Sequence, residues 1–247
     1  MSTTTDHIAS QDAQASIFGR ILVGIDDSPE SLEAARQAVA LAGGPITLVA
    51  AYDPTDALVG GAMPPAPAYL DEESIREEVQ EALQLACQEV SPVEPVTKIG
   101  RGRAWQVLID EIRAGYHTLV AVGSHGRGRA RGILIGSTAT ELIHKAPCSV
   151  LVARQPLTQF PQLIVAAVDQ SPQAAVADAV AGSLADRFDA RFKRFESVPD
   201  PVTELVRVSG EADLIVIGSR GLHGIKALGS VSEQVAHEAA CSVLIVR

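Results

Sequence analysis

The sequence GSHGRGRARGILIGST, residues Gly123 to Thr138, recurs in altered form as GSRGLHGIKALGSV, residues Gly218 to Val231. Each copy follows a short apolar segment typical of a buried parallel strand. Each also precedes a helix-like stretch that ends in a second apolar segment, CSVLV or CSVLI. A glycine-rich loop between a strand and a helix N-terminus can hold phosphates, because its N–H groups point at the ligand and the helix dipole favours anions. The recurrence of the loop predicts a duplicated chain.

Composition narrows the class of protein. The chain has 247 residues, of which 47% are apolar, and this suits strands that are covered by helices on both faces. A formal net charge of −10 argues against nucleic-acid or anionic-membrane partners, and no apolar run approaches the ~20 residues of a membrane helix. The three cysteines have no CxxC spacing, which favours reduced thiols in the cytoplasm. Cys148 and Cys241, which are equivalent in the two copies, are interpreted as small buried hydrophobes.

The first half alternates strand and helix patterns, which predicts right-handed crossovers and a parallel sheet. Its strands are predicted at Arg20–Ile25, Ile46–Ala51, Val93–Ile99, Thr118–Val122 and Ser149–Val152, and its helices include Ser31–Ala42 and Asp71–Val90. The Pro- and Gly-rich stretch Asp53 to Tyr69 contains too many breakers for regular structure.

The second half is shorter than the first. Asp169 follows its counterpart Asp26 by 143 residues, whereas Gly218 follows Gly123 by only 95, so 48 residues are missing between the first strand and the loop. We expect the second strand and second helix to be absent, which leaves four strands. The predicted organisation is a disordered tail over 1–18, a complete domain over 19–154, a linker over 155–161 and a shortened domain over 162–247.

The first loop has the pattern Gly, two residues, Gly, nine residues, Gly-Ser. Gly123 and Gly126 allow close approach of a ligand, and Ser137 can cap the next helix and donate to a phosphate. Nearby arginines add positive charge that suits a polyphosphate; they are Arg127, Arg129 and Arg131. A P-loop is excluded because the lysine is missing, and a dinucleotide fingerprint would follow the first strand. Ligands bind where the strand order of an open parallel sheet reverses, so Asp26 and this loop are expected in one crevice. The alternative for Asp26 is a cap of the next helix.

These residues resemble the universal stress protein family in its tandem form. The resemblance covers nearly all of 19–247 and rests on GIDDSPES, the glycine loop and HKAPCSVLVA, and on AAVDQSPQA, GSRGLHGIKALGSVSE and HEAACSVLIVR. It implies two adenine-nucleotide α-hydrolase-like (Rossmann-like) α/β repeats with strand order 3-2-1-4-5, the second shortened by about one strand–helix unit. It also implies that ATP is bound by Gly24 and Asp26 at the adenosine, Ala51 beside the adenine, and Gly123, Gly126, Arg127, Gly136, Ser137 and Thr138 at the phosphates. Members of the family pair through the last strand, so a homodimer or an internal pseudo-dimer is expected.

Two departures from the family pattern bear on the second half. Its loop has seven residues where the first has nine, and the missing unit removes part of the adenine wall. Only the first half is therefore expected to bind ATP, with Asp26 or Asp27 as weak candidates to help hold Mg²⁺ beside the nucleotide.

The predicted role is a nucleotide-responsive stress or signalling module with an unidentified protein partner. ATP occupancy would change the Asp53 to Tyr69 loop. The alternatives are a scaffold that binds no nucleotide and, less favoured, an ATP-cleaving enzyme. No catalytic residues are predicted, because no Ser-His-Asp, Cys-His or paired-carboxylate set has a recognisable spacing. Slow ATP hydrolysis is the only activity expected.

Three histidines are given structural rather than functional interpretations. His125 is interpreted as a solvated loop residue. His144 and His237 are equivalent in the two copies and are expected to contact carbonyl groups at helix C-termini.

Overall fold

The computed structural model describes residues 17–54, 72–126, 135–154, 159–196, 199–219 and 231–247. The elements of the first half alternate as the apolar periodicity predicts. They are β1 (Ile21–Ile25), α1 (Pro29–Leu41), β2 (Ile46–Tyr52), α2 (Glu72–Glu89), β3 (Val96–Arg101), α3 (Ala104–Gly115), β4 (Leu119–Gly123), α4 (Ser137–Lys145) and β5 (Ser149–Ala153).

The second half repeats this alternation in a shorter form. Its elements are β6 (Leu163–Val168), α5 (Pro172–Phe188), β7 (Arg191–Glu196), α6 (Pro201–Val208), β8 (Leu214–Gly218), α7 (Val231–Glu238) and β9 (Ser242–Val246). The described part of this half therefore has the four strands that its length predicts.

All the strands named above belong to one sheet, in the order β3-β2-β1-β4-β5-β9-β8-β6-β7. The order 3-2-1-4-5 predicted for the first half is confirmed, and neighbouring strands within each half run parallel. The halves join where β5 and β9 pair in antiparallel fashion, with Leu151 opposite Leu244.

The core lies on both faces of the sheet, which explains why the central strands are almost continuously apolar. Helices α1, α2 and α5 cover one face, and α3, α4, α6 and α7 cover the other. Small residues at helical spacing let α1 approach the sheet closely; Ala34, Ala35 and Ala38 are fully buried there.

The shortening of the second half removes a helix from one face only. Helix α6 packs on the same face as α3, through Leu205, and no counterpart of α2 follows α5 in the described chain. Strand β7 pairs directly with β6, so it occupies the place that β2 holds beside β1. The helix that follows β7 packs like the helix that follows β3, so β7 corresponds to β3, as the sequence predicts. However, β7 is hydrogen-bonded directly to β6, whereas β3 is separated from β1 by β2.

Two element boundaries differ from the sequence-based prediction. Phe18, predicted within the tail, is only 3% exposed and forms an isolated bridge with Ala42, so the packed chain begins before residue 19. Strand β3 begins at Val96 because a turn, in which Val93 N donates to Val90 O, occupies its predicted start. Much of the predicted linker lies outside the described residues.

Candidate functional site

The candidate site lies where the strand order reverses. From β1 the chain builds outward through β2 and β3 and then returns to the other side of β1 with β4. The carboxyl ends of β1 and β4 are therefore neighbours, and they carry Asp26 and the first residues of the glycine loop. Such a reversal opens a crevice above the sheet. The expected meeting of Asp26 with this loop is confirmed.

A cavity of about 320 Å³ fills this crevice. Eight of the nine residues predicted to contact ATP line it: Gly24, Asp26, Ala51, Gly123, Gly126, Gly136, Ser137 and Thr138. The ninth, Arg127, lies outside the described residues, as do Arg129 and Arg131.

The turn after β1 holds the Asp26 carboxylate in place. Its Oδ1 accepts hydrogen bonds from Ser28 Oγ at 2.6 Å and from Ser28 N at 3.2 Å. Ser28 is in turn the N-cap of α1, because its Oγ accepts from Ser31 N at 3.1 Å. Asp27 completes the turn in the left-handed region, with φ of 64°. The cap of α1 is therefore Ser28, and Asp26 orients that cap.

Two loop glycines are required by close packing. A Cβ on Gly126 would lie 2.2 Å from Asp26 Oδ2, and a Cβ on Gly123 would lie 2.7 Å from the Glu30 carbonyl carbon. Gly136 differs, because among the described residues its Cβ would meet nothing closer than Ser124 O at 3.6 Å and its φ is −75°. Backbone conformation therefore does not require glycine at 136, and neither does packing against the described residues.

The first turn of α4 opens onto the cavity without a side-chain cap. Gly136 is the N-cap and Ser137 is the first helical residue, so the prediction that Ser137 caps the helix is wrong. Thr140 Oγ1 donates to Gly136 O at 3.1 Å. A glycine N-cap has no side chain to accept from the first-turn N–H groups, so the cap residue leaves these donors to other acceptors, and an anionic ligand is the kind of acceptor that a helix N-terminus favours.

Some lining residues were not predicted. Val49 on β2, Ala104 and Leu108 on α3 form an apolar wall that faces the loop. The apolar spacing of α3 predicts that Leu108 is buried, but not that it borders a cavity. His125, predicted to be solvated, lines the cavity, and its Nδ1 lies 3.0 Å from Ser124 Oγ.

The second half has a counterpart cavity of about 160 Å³ at the ends of β6 and β8. Its turn repeats the first: Asp169 Oδ1 accepts from Ser171 N at 2.8 Å, and Ser171 Oγ accepts from Ala174 N at 3.2 Å. Two side chains are larger here. Ala167 stands where the first half has Gly24, and Phe195 pairs opposite Ala167 as Val49 pairs opposite Gly24.

The seam between the halves is held by reciprocal contacts. Arg154, which follows β5, donates from Nη2 to His237 O at 3.0 Å and to Ala236 O, at the end of α7. Arg247, which follows β9, donates from Nη2 to Ile143 O near the end of α4. Arg154 and Arg247 therefore donate to carbonyl groups near the helix C-termini, where contacts from His144 and His237 were expected.

The cysteines near this seam are buried. Cys148 and Cys241 are each 7% exposed, and burial raises the pKa of each thiol to about 12. Their interpretation as small buried hydrophobes is confirmed.

The described residues lack two further features. No helix in that part of the chain has the length and apolar character needed to cross a membrane. No group of three or more His, Cys, Asp or Glu side chains within the same residues is arranged to hold a metal ion.

Comparison with known proteins identifies relatives across nearly the whole chain. The model of the universal stress protein family matches residues 18–154 and 189–247. A universal stress protein of Mycobacterium tuberculosis (strain ATCC 25618 / H37Rv) is 28% identical, over 92% of this chain and 96% of that protein. A second one from the same strain is 36% identical, over 63% of this chain and 57% of its own length.

Solved structures share the fold. A universal stress protein from Archaeoglobus fulgidus DSM 4304 has a TM-score of 0.71 at 17% identity, covering 92% of this chain and 96% of its own. A functionally unknown protein from Pseudomonas aeruginosa PAO1 has a TM-score of 0.67 at 17% identity, covering 94% and 93%. The chain belongs to the universal stress protein family.

Proposed function

We propose that the first half binds ATP in the cavity at the ends of β1 and β4, and that nucleotide occupancy is the signal this protein conveys. The observation that carries the proposal is the division of that cavity into two chemically different sides. One side is the apolar wall that contains Val49, Ala51 and Leu108. The other is the glycine loop and the start of α4.

The apolar side suits a purine ring. Leu108 is 2% exposed and Val49 is 2% exposed, so both present fixed aliphatic surface. Gly24 lies between them, and a Cβ there would approach both Leu108 and Val122 to 3.0 Å. Asp26 stands at the rim, where its carboxylate would accept hydrogen bonds from the ribose hydroxyls or the adenine amino group.

The loop side suits phosphates. The uncapped first turn of α4 offers N–H donors with the positive end of the helix dipole, while Ser137 and Thr138 add hydroxyls. A ligand that approaches the backbone at Gly136 would explain the absence of a Cβ there, since neither the backbone conformation nor packing against the described residues requires it. A volume of about 320 Å³ falls at the lower end of the roughly 300–1,000 Å³ typical of small-molecule sites. The triphosphate of ATP would supply the negative charge that these donors favour.

The experiment is a calorimetric titration of the nucleotide-stripped full chain with Mg-ATP, compared with Gly136→Asp. Asp is a preferred N-cap and its Cβ meets only ordinary contacts, so this variant should fold, while its carboxylate occupies the phosphate position. Gly136→Ser is the matched control, a neutral N-cap at the same position. We expect one site per chain, lost in the Asp variant and weakened in the Ser variant.

Two results would contradict the proposal. One is the absence of ATP binding by the folded wild-type chain, which would favour the scaffold alternative. The other is equal ATP affinity in wild type and in Gly136→Asp. Conversion of ATP to AMP would instead revive the enzyme alternative.

A further inference from the structure

Strand β7 forms one edge of the sheet, and its outer side pairs with no other described strand. On its inner side it pairs with β6, where Arg191 N donates to Gln162 O at 2.8 Å. The backbone groups of successive residues in a strand point to opposite sides. The N–H and C=O groups of Phe192, Arg194 and Glu196 therefore face away from β6. Such a row of groups can pair with the backbone of another chain.

Cations dominate this edge strand, although the whole chain has a formal net charge of −10. The sequence of β7 is RFKRFE, with three cations and one carboxylate. Because side chains alternate along a strand, Arg191 and Lys193 lie on one face of the sheet and Arg194 on the other. All three residues are exposed. A segment that pairs with β7 would therefore meet positive charge on both faces.

The opposite edge strand, β3, also carries cations, but neighbouring helices supply carboxylates to them. Lys98 pairs with Glu111 of α3. Arg101 Nε lies 3.1 Å from Glu72 Oε1 at the start of α2. The positive charge of that edge is therefore compensated within the chain.

The shortening of the second half removes this compensation from part of β7. No counterpart of α2 follows α5 in the described chain, and α6 has eight residues where α3 has twelve. Counted from the start of each helix, Val208 of α6 stands where α3 has Glu111. Arg191 and Lys193 consequently form no ion pair with any described residue, whereas the third cation of β7 pairs with a carboxylate of α5 at 2.6 Å.

Like charge disfavours a second copy of this chain as the partner of β7. Side chains directly opposite in an antiparallel pair lie on the same face of the sheet. In the two registers with the greatest overlap of β7 with itself, Lys193 would face its own copy or Arg194 would face its own copy. Strand β3 of a second copy would bring Lys98 and Arg101. Opposed like charges destabilise a strand pair, whereas opposed unlike charges stabilise it.

We propose that the outer edge of β7 binds an extended, acidic segment of a partner protein, which adds to the sheet as a further strand. Its backbone pairs with the outward groups of Phe192, Arg194 and Glu196, and its carboxylates lie beside Arg191 and Lys193. Strands β5, β9, β8 and β6 lie between β4 and β7, so this surface is separate from the cavity of the first half. The test does not depend on ATP.

The probe is a fluorescently labelled peptide of about ten residues in which Glu alternates with Val, a length that matches a long strand. The control peptide has Lys in place of Glu. Binding to the full chain at neutral pH and low salt is followed by fluorescence anisotropy. We expect the Lys peptide to bind at least about tenfold more weakly than the Glu peptide, because its charge repels that of β7.

Hydrogen exchange distinguishes strand addition from attraction by charge alone. With the Glu peptide bound, the amides of Phe192, Arg194 and Glu196 should exchange at least about tenfold more slowly, because they become donors in a new ladder. The amide of Arg191 donates to β6 with or without the peptide and serves as the internal reference.

Charge reversal tests the two cations that lack a described partner. Arg191→Glu combined with Lys193→Glu should weaken binding of the Glu peptide by about tenfold or more. Both side chains are exposed, so the melting temperature should stay close to that of wild type. The matched control combines Arg103→Glu with Arg113→Glu, which changes the net charge equally at exposed positions in and beside α3. It should bind the Glu peptide within about twofold of wild type.

Any of four results would overturn the proposal. The first is wild-type protein that binds no Glu peptide at millimolar concentration, and the second is equal affinity for the Glu and Lys peptides. The third is full affinity in the folded variant with both charges of β7 reversed. The fourth is a bound Glu peptide that leaves exchange at the three outward amides unchanged, which would make β7 a contact for polyanions in general.

Discussion

His144 and Glu233 join the two halves, with 3.1 Å between His144 Nε2 and Glu233 Oε1. The relationship is not reciprocal: the pseudo-symmetric partner of His237 would be Thr140, which carries no charge. Helix α4 begins at the larger cavity and α7 begins at the smaller cavity, so this contact lies between the two helices that border them. The seam is therefore a packing interface whose helices α4 and α7 each begin at one of the two cavities.

Ser28→Ala should weaken ATP binding and lower stability. The change removes the N-cap of α1, which costs about 1 kcal/mol, and it removes the shorter, 2.6 Å, of the two hydrogen bonds that Ser28 donates to the Asp26 carboxylate. We expect ATP affinity to fall by about three- to tenfold by calorimetry. Ser171→Ala is the matched control, since Ser171 caps α5 in the same way beside the smaller cavity. Equal loss of ATP affinity in both variants would show that the effect is general destabilisation.

Arg154→Ala should destabilise the seam. The buried guanidinium donates to two carbonyl groups at the end of α7, and its loss leaves them without that partner. We expect the free energy of unfolding to fall by about 2–3 kcal/mol in urea titrations, as for hydrogen bonds that involve a charged group. Arg207→Ala removes an exposed arginine that pairs with Glu204 on the surface of α6, and it should change stability by less than about 0.5 kcal/mol. Similar unfolding curves for the two variants would contradict the structural role of Arg154.

Burial of His237 should make stability depend on pH. Burial lowers the pKa of this imidazole, with Arg154 and His144 adding to the effect and Glu233 and Glu238 opposing it. The unfolded chain therefore takes up the proton first as pH falls through about 6.5, and the free energy of unfolding decreases on the acid side. His237→Gln removes this titration, so the loss of stability between pH 7.5 and 5.5 should be smaller than in wild type.

His117 is a second source of pH-dependent stability, and it is present both in wild type and in His237→Gln. Burial also lowers its pKa, and its Nε2 lies 3.3 Å from Thr47 Oγ1. Some loss of stability on acidification should therefore remain in His237→Gln. Parallel pH profiles of wild type and variant would show that His237 does not contribute.

Gly182→Ala should stabilise the protein. Gly182 lies inside α5, and a Cβ there would meet only Phe192 Cε1 at 3.9 Å, so the variant gains helix propensity without a clash. We expect a gain of about 0.5–1 kcal/mol in the free energy of unfolding. Gly218→Ala provides the contrast, because its Cβ would lie 2.6 Å from the backbone of Gln173 and should cost about 1–3 kcal/mol. Destabilisation by Gly182→Ala would show that helix α5 packs more tightly than the structure indicates.

Local sequence patterns carried most of the fold and much of the site. The strand–helix alternation, the repeated Asp-x-Ser-Pro turn and the 48-residue shortening are all visible along the chain. The family resemblance that these motifs carry implied the strand order and the eight residues that border one cavity. The sequence did not indicate that His125 lines the cavity, because a loop residue shows no periodicity that would predict its direction.

The α/β repeat and the place of the glycine loop can be derived from the amino-acid sequence, because both depend on periodicity and spacing within a few residues. Which side chains meet across the sheet and the seam depends on how the strands pair. Phe195 takes the position in the second half that Val49 has in the first, because β7 pairs with β6. Arg154 reaches His237 O because β5 pairs with β9. Such contacts join residues that lie tens of residues apart, and strand register, which only the packed core selects, brings them together.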